Sequence, residues 1–196
     1  MKTKMKAYTV KYRRRRQNKT DYPLRLKLLS SNKLRVVIRR SLNNFTIQIV
    51  KFENNGDKTV MASHSSELSA YGWKAHKGNI PAAYLSGYLC GLKAKKEKIN
   101  NLVVDLGTFR AVSKTSLFAV AKGLKDAGLT VSCSDKVLPD NNLVSGKSIV
   151  DYANSLKNNK DLYSKQFSKY IKAGIKPEDL TKHFNEVKKK IEEKWQ

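Results

Sequence analysis

Acid is almost missing from the first fifth of this 196-residue chain. Between Met1 and Arg40 stand 15 Lys or Arg residues and a single carboxylate, Asp21, a balance of +14 within a formal total of +24. So much like charge in one place is tolerated only with a polyanion nearby. Long apolar runs are lacking as well. The longest uncharged run, Gly78 to Leu92, is too short to span a bilayer and contains Asn, Ser and Gly. No apolar stretch follows the basic start, which argues against a secretory signal. An organelle transit peptide shares the Arg-rich, acid-poor start, but here the stretch runs straight into a strand pattern. Cys90 and Cys133 have no CxxC spacing and read as free thiols in a reducing compartment.

Catalytic signatures are missing too. His64, His76 and His183 form no i, i+4 pair, so neither a metal nor a cofactor is expected. No GxSxG elbow and no Cys–His pattern occurs. Two-metal phosphoryl hydrolysis needs several carboxylates at strand ends, and the strand segments offer only Asp105. A nuclease is therefore the weaker alternative. Ser145-Gly146-Lys147-Ser148 invites a phosphate-loop reading, but Asn141 stands where that motif needs glycine. A helix start with Ser148 near the cap fits better.

What remains is enough for a core: 40% of residues are hydrophobic and 9% aromatic. Residues 1–11 read as extended and polar. Leu24, Leu28 and Leu29 recur at helical spacing behind Thr20 or Asp21 as cap, with Pro23 in the first turn. Leu34–Ile38, Phe45–Ile49 and Thr59–Ala62 read as strands joined by short turns, an antiparallel meander. A helix from Asn79 to about Lys98, a strand over Leu102–Leu106, a helix over Ser113–Ala127 and a strand over Leu129–Val131 follow. Alternating strands and helices imply parallel crossovers in the same sheet. The fold class is thus α/β, a mixed sheet in the order βββαβαβ. Ile149, Tyr152, Ala153 and Leu156 make one later stripe. Leu162, Phe167, Tyr170 and Ile171 make another, and Leu180, Phe184, Val187, Ile191 and Trp195 a third. The expected organisation is a basic arm and helix at 1–30, an α/β body at 31–138, and a helical extension at 139–196. The extension has too little core to stand alone and reads as a docked appendage.

The basic segment carries the clearest functional signal. Lys11 and Tyr12 precede Arg13, Arg14, Arg15 and Arg16, and Lys19, Tyr22 and Arg25 follow. Arg forks fit phosphate oxygens, and unstacked RNA bases stack on Tyr rings or guanidinium planes. No helix-turn-helix, zinc-finger or heptad pattern favours DNA. A membrane-surface or acidic-protein binder is a further rival, against which the interleaved tyrosines argue. Arg39 and Arg40 end the first strand. His64 stands at a strand end. Arg110 follows a strand's C-terminal end, where open α/β sheets present ligands. Trp73 reads first as a core anchor, with Lys74, His76 and Lys77 making an RNA-facing loop the rival.

These residues together resemble the 5S-rRNA-binding family of the large ribosomal subunit called L-eighteen (L-five in eukaryotes), in its archaeal-like form. The diagnostic strings are Tyr12–Arg16, Lys19-Thr20-Asp21-Tyr22, Tyr71-Gly72-Trp73-Lys74, Asn79 to Leu85, Asp105-Leu106-Gly107 and Asp126-Ala127-Gly128-Leu129. They cover most of the chain to about Ala153. The resemblance implies a translational-machinery fold related to ribonuclease H topology without its active site. It implies binding of 5S rRNA, its anchoring to 23S rRNA and neighbouring proteins in the central protuberance, and a cytoplasmic, ribosome-bound location. No small-molecule substrate and no membrane are implied. Contacts carry over to Tyr12–Arg16, to Lys19, Thr20, Asp21 and Tyr22, and to the regions of Trp73, Lys74, Asn79 and Tyr84. The chain departs from the family at Ser116, Cys133 and Lys147, so contacts there are not carried over.

Overall fold

The computed structural model describes residues 9–195. Of the extended reading for residues 1–11, residues 1–8 lie outside the described part. Tyr12 precedes a single helical turn, α1 (Arg13–Arg16), which buries none of its residues. The second helix, α2 (Tyr22–Leu29), starts at Asp21, whose side chain accepts from the Leu24 amide at 3.1 Å. Pro23 occupies its first turn, where a missing N–H costs nothing. The leucines of α2 do not sink into a core: Leu24 is 38% exposed, and Leu28 and Leu29 are half-buried.

Three strands follow: β1 (Leu34–Arg40), β2 (Phe45–Glu53) and β3 (Gly56–His64). They pair antiparallel, with Ile38 opposite Ile47 and Val36 opposite Ile49. The expected segments are shorter than the observed strands because exposed ends such as Lys51–Glu53, where Phe52 stands between two charges and half exposed, keep the ladder without a buried apolar pattern. A 3-10 turn over Ser65–Tyr71 leads on. Helix α3 (Ile80–Lys96) comes next, then β4 (Asn101–Asp105), α4 (Ser116–Asp126) and β5 (Thr130–Ser132). The sheet order is β3-β2-β1-β4-β5, with β4 parallel to both β1 and β5. The chain is therefore a mixed α/β protein with an open five-stranded sheet.

Alternation along β1 sorts the two sheet faces. Val36 and Ile38 are fully buried in the core shared with α3 and α4, while Arg35, Val37 and Arg39 point to the other face. Helices α3 and α4 meet backbone to backbone. A Cβ on Gly87 would collide with the Val120 carbonyl, and one on Gly123 with the Tyr84 carbonyl.

The C-terminal part holds α5 (Asn141–Val144), α6 (Lys147–Ser155), α7 (Lys160–Gln166), α8 (Ser168–Lys172) and α9 (Leu180–Trp195). Ser148 does not cap α6. Gly146 does, in a left-handed conformation (φ +81°), because the chain must turn sharply out of α5 against Leu180 and Pro81. The stripe of α6 buries only Ala153 fully, and Tyr152 is 49% exposed. The next stripe is split over two short helices, with Phe167 buried and Leu162 and Ile171 half exposed. Helix α9 is no appendage: Leu180, Phe184, Val187 and Ile191 belong to the same hydrophobic cluster as the sheet and α3. Trp195 completes the seat, its indole N–H donating to the Tyr71 hydroxyl at 2.7 Å. Among the described residues no helix is long and apolar enough to cross a membrane.

Candidate nucleic-acid interface

The arm is a cationic surface from Lys11 to Lys19, exposed at every position. The side chains of Arg13, Arg15 and Arg16 have no ion-pair partner among the described residues. Arg14 is tethered, its Nε donating to Thr20 Oγ1 at 2.8 Å. Tyr12 and Tyr22 meet with ring centroids 5.2 Å apart, tilted by 52°, which folds the arm back onto the start of α2. Tyr12 is 73% exposed and keeps a free ring face.

Beneath the arm lies a cleft of about 250 Å³, bounded by Arg14, Lys19 and Arg25 on one side and by Arg35 and Arg39 of β1 on the other. A chain of alternating charges forms its floor. Arg25 grips Asp57 with both nitrogens at 2.9 Å. Arg35 Nη2 stands 2.7 Å from Asp57 Oδ2, an ion-pair approach without hydrogen-bond alignment, and Arg35 Nη1 donates to Asp105 Oδ2 at 2.7 Å. Arg39 reaches Asp105 Oδ1 at 3.3 Å and its carbonyl at 2.9 Å. Three guanidiniums on two carboxylates leave this floor net positive. Arg35 is 1% exposed, and its Nε has no partner among the described residues. Partial burial pushes Asp57 upward, but the hydrogen bonds of Arg25 and the close charges of Arg35 and Arg25 outweigh it and hold the carboxyl below its ordinary value.

The same geometry settles what the sheet's acids do. Asp105 accepts from Arg35, Arg39 and the Gly107 amide, so its oxygens are already committed. Among the described residues no three His, Cys, Asp or Glu side chains converge to hold a metal ion.

The remaining sequence candidates fall into three kinds. Arg40, Lys74 and Arg110 are exposed. Thr20, Asp21, His64 and Asn79 have local structural work beside any RNA contact. Thr20 anchors Arg14, Asp21 caps α2, and Asn79 accepts from the Ala82 amide at 2.9 Å to cap α3. His64 Nδ1 receives the Ser66 amide at 3.3 Å, while Glu67 reaches back to the His64 amide at 2.8 Å, a reciprocal cap on the 3-10 turn. Trp73 and Tyr84 are corrections. Trp73 is 1% exposed and stacked on His183 of α9, with centroids 5.1 Å apart. Tyr84 is 3% exposed, its hydroxyl donating to Asp126 at 2.7 Å, and burial pushes its pKa up. Both rings are used up in packing and offer RNA no surface.

Arg35 and Asp57 were missed in the sequence. An arginine flanked by Leu34, Val36 and Val37 in a strand is a signal of a buried charge. Its partners become visible only once β1 lies beside β4 and α2 lies against β3.

The family model described as ribosomal large subunit proteins 60S L5 and 50S L18 matches residues 6–103. The large ribosomal subunit protein uL18 of Methanococcus maripaludis (strain S2) is 47% identical over 184 residues, spanning 94% of this chain and 95% of that protein. The chain belongs to the L5/L18 family of large-subunit ribosomal proteins. As a member it is a noncatalytic ribosomal protein, and the nuclease alternative finds no support. The arm of this L5/L18 protein and most of the cleft sit within the family-model match, whereas Asp105 and Gly107 of the cleft and α5 to α9 lie beyond it.

Proposed function

We propose that this L5/L18 protein binds 5S rRNA and anchors it to 23S rRNA and neighbouring proteins in the central protuberance, as a cytoplasmic, ribosome-bound component. The observation that supports this most is the exposed run Arg13–Arg16, without an ion-pair partner among the described residues, above a net-positive cleft, in a chain matched nearly end to end by a uL18. Contacts are assigned to Lys11, Tyr12, the four arginines, Lys19 to Tyr22, Arg25, Arg39, Arg40, Lys74 and Arg110, with Asn79 and His64 contributing through the loops they cap. The sheet order and mixed pairing support a ribonuclease H-like scaffold whose carboxylates have been replaced by an arginine–aspartate network. Three stretches divide the work. Residues 1–30 meet RNA, 31–138 form the rigid platform, and 139–196 lock α9 into that platform while presenting α6 to α8 outward.

The cations neutralise phosphates and release counterions, so affinity follows salt steeply. With ~6–10 phosphate contacts, raising salt from 50 to 200 mM weakens binding by about three to five orders of magnitude. Replacing Arg13, Arg15 and Arg16 by Ala is expected to flatten the slope of log affinity against log salt by roughly one per lost contact. Filter binding of 5S rRNA across a salt series measures it. A salt-independent affinity, or an unchanged slope in the triple variant, would refute the arm's role.

A further inference from the structure

Two cavities share a wall made of His76, Lys169 and Tyr170. The first, about 360 Å³, is ringed by Lys74, Lys77 and Lys169 and has no acid in its lining. None of these three lysines has an ion-pair partner among the described residues. The second, about 510 Å³, is walled by Ile149, Tyr152 and Phe167 with Asn79 and Gln166 at its polar edge, again without an acid. Both volumes fall in the range of roughly 300–1,000 Å³ typical of small-ligand sites.

The shared wall is fixed in place. His76 Nδ1 accepts from the Gly78 amide at 3.1 Å, which leaves the ring proton on Nε2, facing Asn43 Oδ1 at 3.4 Å. Burial, then the nearby charge of Lys169, pushes the His76 pKa down and keeps the ring neutral. Tyr170 packs edge-on against Phe167, 5.8 Å between centroids, and its hydroxyl accepts from Asn79 Nδ2 at 3.4 Å. Tyr152 is 49% exposed and backed by Phe167, itself 4% exposed, at 6.1 Å. An aromatic face is thus offered to solvent on a buried support, next to a cluster of unpaired cations.

We propose that these adjoining cavities hold one unstacked nucleotide of the bound RNA, its phosphate among Lys74, Lys77 and Lys169 and its base against Tyr152. The chemistry of the two lobes selects that occupant. Acid-free lysines call for a phosphate, and an exposed Tyr with side-chain amides beside it calls for a base with a polar edge. An acidic protein segment would use the lysines but leave the Tyr152 face without a partner of its kind. The inference rests on the RNA-binding reading above and adds to it a second site, built partly from α6 to α8, which lie beyond the residues that the family model matches.

The test uses the full chain and 5S rRNA, with 23S rRNA fragments in a parallel series. Tyr152→Ala is expected to weaken binding to the RNA that fills the site by roughly tenfold to a hundredfold, the loss of one base–aromatic stack. Tyr152→Phe keeps the ring and is expected to restore most of the affinity. Lys169→Ala is expected to lower the salt slope by about one. Both side chains, Tyr152 and Lys169, are exposed, and a thermal melt equal to the parent's confirms an intact fold. Unchanged affinity of Tyr152→Ala and Lys169→Ala for both RNAs, with a weakened triple-Arg variant, overturns the nucleotide site and leaves RNA binding standing. Unchanged affinity of the triple-Arg variant as well overturns RNA binding by the arm itself. A photocrosslinker at position 152 in assembled subunits that captures a protein rather than a nucleotide also overturns the site.

Discussion

Arg35 illustrates how one buried charge depends on its neighbours. A guanidinium that is 1% exposed is tolerable because the carboxylates of Asp57 and Asp105 stand beside it. Asp105→Asn keeps the side chain's shape and removes its charge, so Arg35 and Arg39 then share a neutral amide. The expected loss is about 3–5 kcal/mol, the usual result of leaving a buried charge unpaired. Urea denaturation followed by circular dichroism measures it, and a loss below about 1 kcal/mol would show that Asp57 alone holds Arg35. In the sequence, Asp105 stood out as the lone carboxylate of the strand segments and as part of the Asp105-Leu106-Gly107 string, and Asp57 drew no functional reading. Neither residue carries a local sign of the other, because the contact exists only through strand order. Trp73 shows the reverse. Core packing was the reading its cost of exposure favoured, and the structure stacks it on His183, a partner 110 positions away that no local pattern announces.

Helix α3 and helix α4 were both legible from their apolar spacing and stop signals, and the structure moves their ends by only a few residues. How closely they pack was not legible. Periodicity marks a buried face but is blind to the difference between an ordinary helix contact and one made by bare backbone. Gly87 and Gly123 make that difference, with each facing the other helix's main chain. A methyl at Gly123 would stand 2.7 Å from the Tyr88 amide nitrogen, with backbone on the far side that has no room to yield. Helix propensity alone would make Gly123→Ala stabilising by about 1 kcal/mol. Overpacking wins here, and the expected net effect is destabilisation by about 1–3 kcal/mol. A thermal melt decides the sign, and a raised midpoint would mean that α4 can slide away from α3 without loss.

At the scale of the whole molecule, the order of strands and helices was readable from pattern alone, but the boundary of the core was not. The last stripe, Leu180 to Trp195, repeats every three or four residues, as any docked surface helix does, and repetition says nothing about where the helix docks. The structure places Leu180, Phe184, Val187 and Ile191 at 0 to 5% exposure inside the sheet's own cluster. The two ends of the chain therefore respond to truncation in opposite ways. Removing residues 1–17 deletes α1, which buries nothing, and is expected to leave the melting transition within a few degrees of the parent's while RNA binding falls. Ending the chain at Asp179 strips four buried apolar side chains from the core. At about 1.5–3 kcal/mol each, that is roughly 6–12 kcal/mol, as large as the whole stability of an ordinary domain. The shortened chain is expected to show no cooperative transition by circular dichroism. A sharp transition retained without α9 would return the C-terminal helix to the status of an appendage and make the α/β body a domain complete in itself.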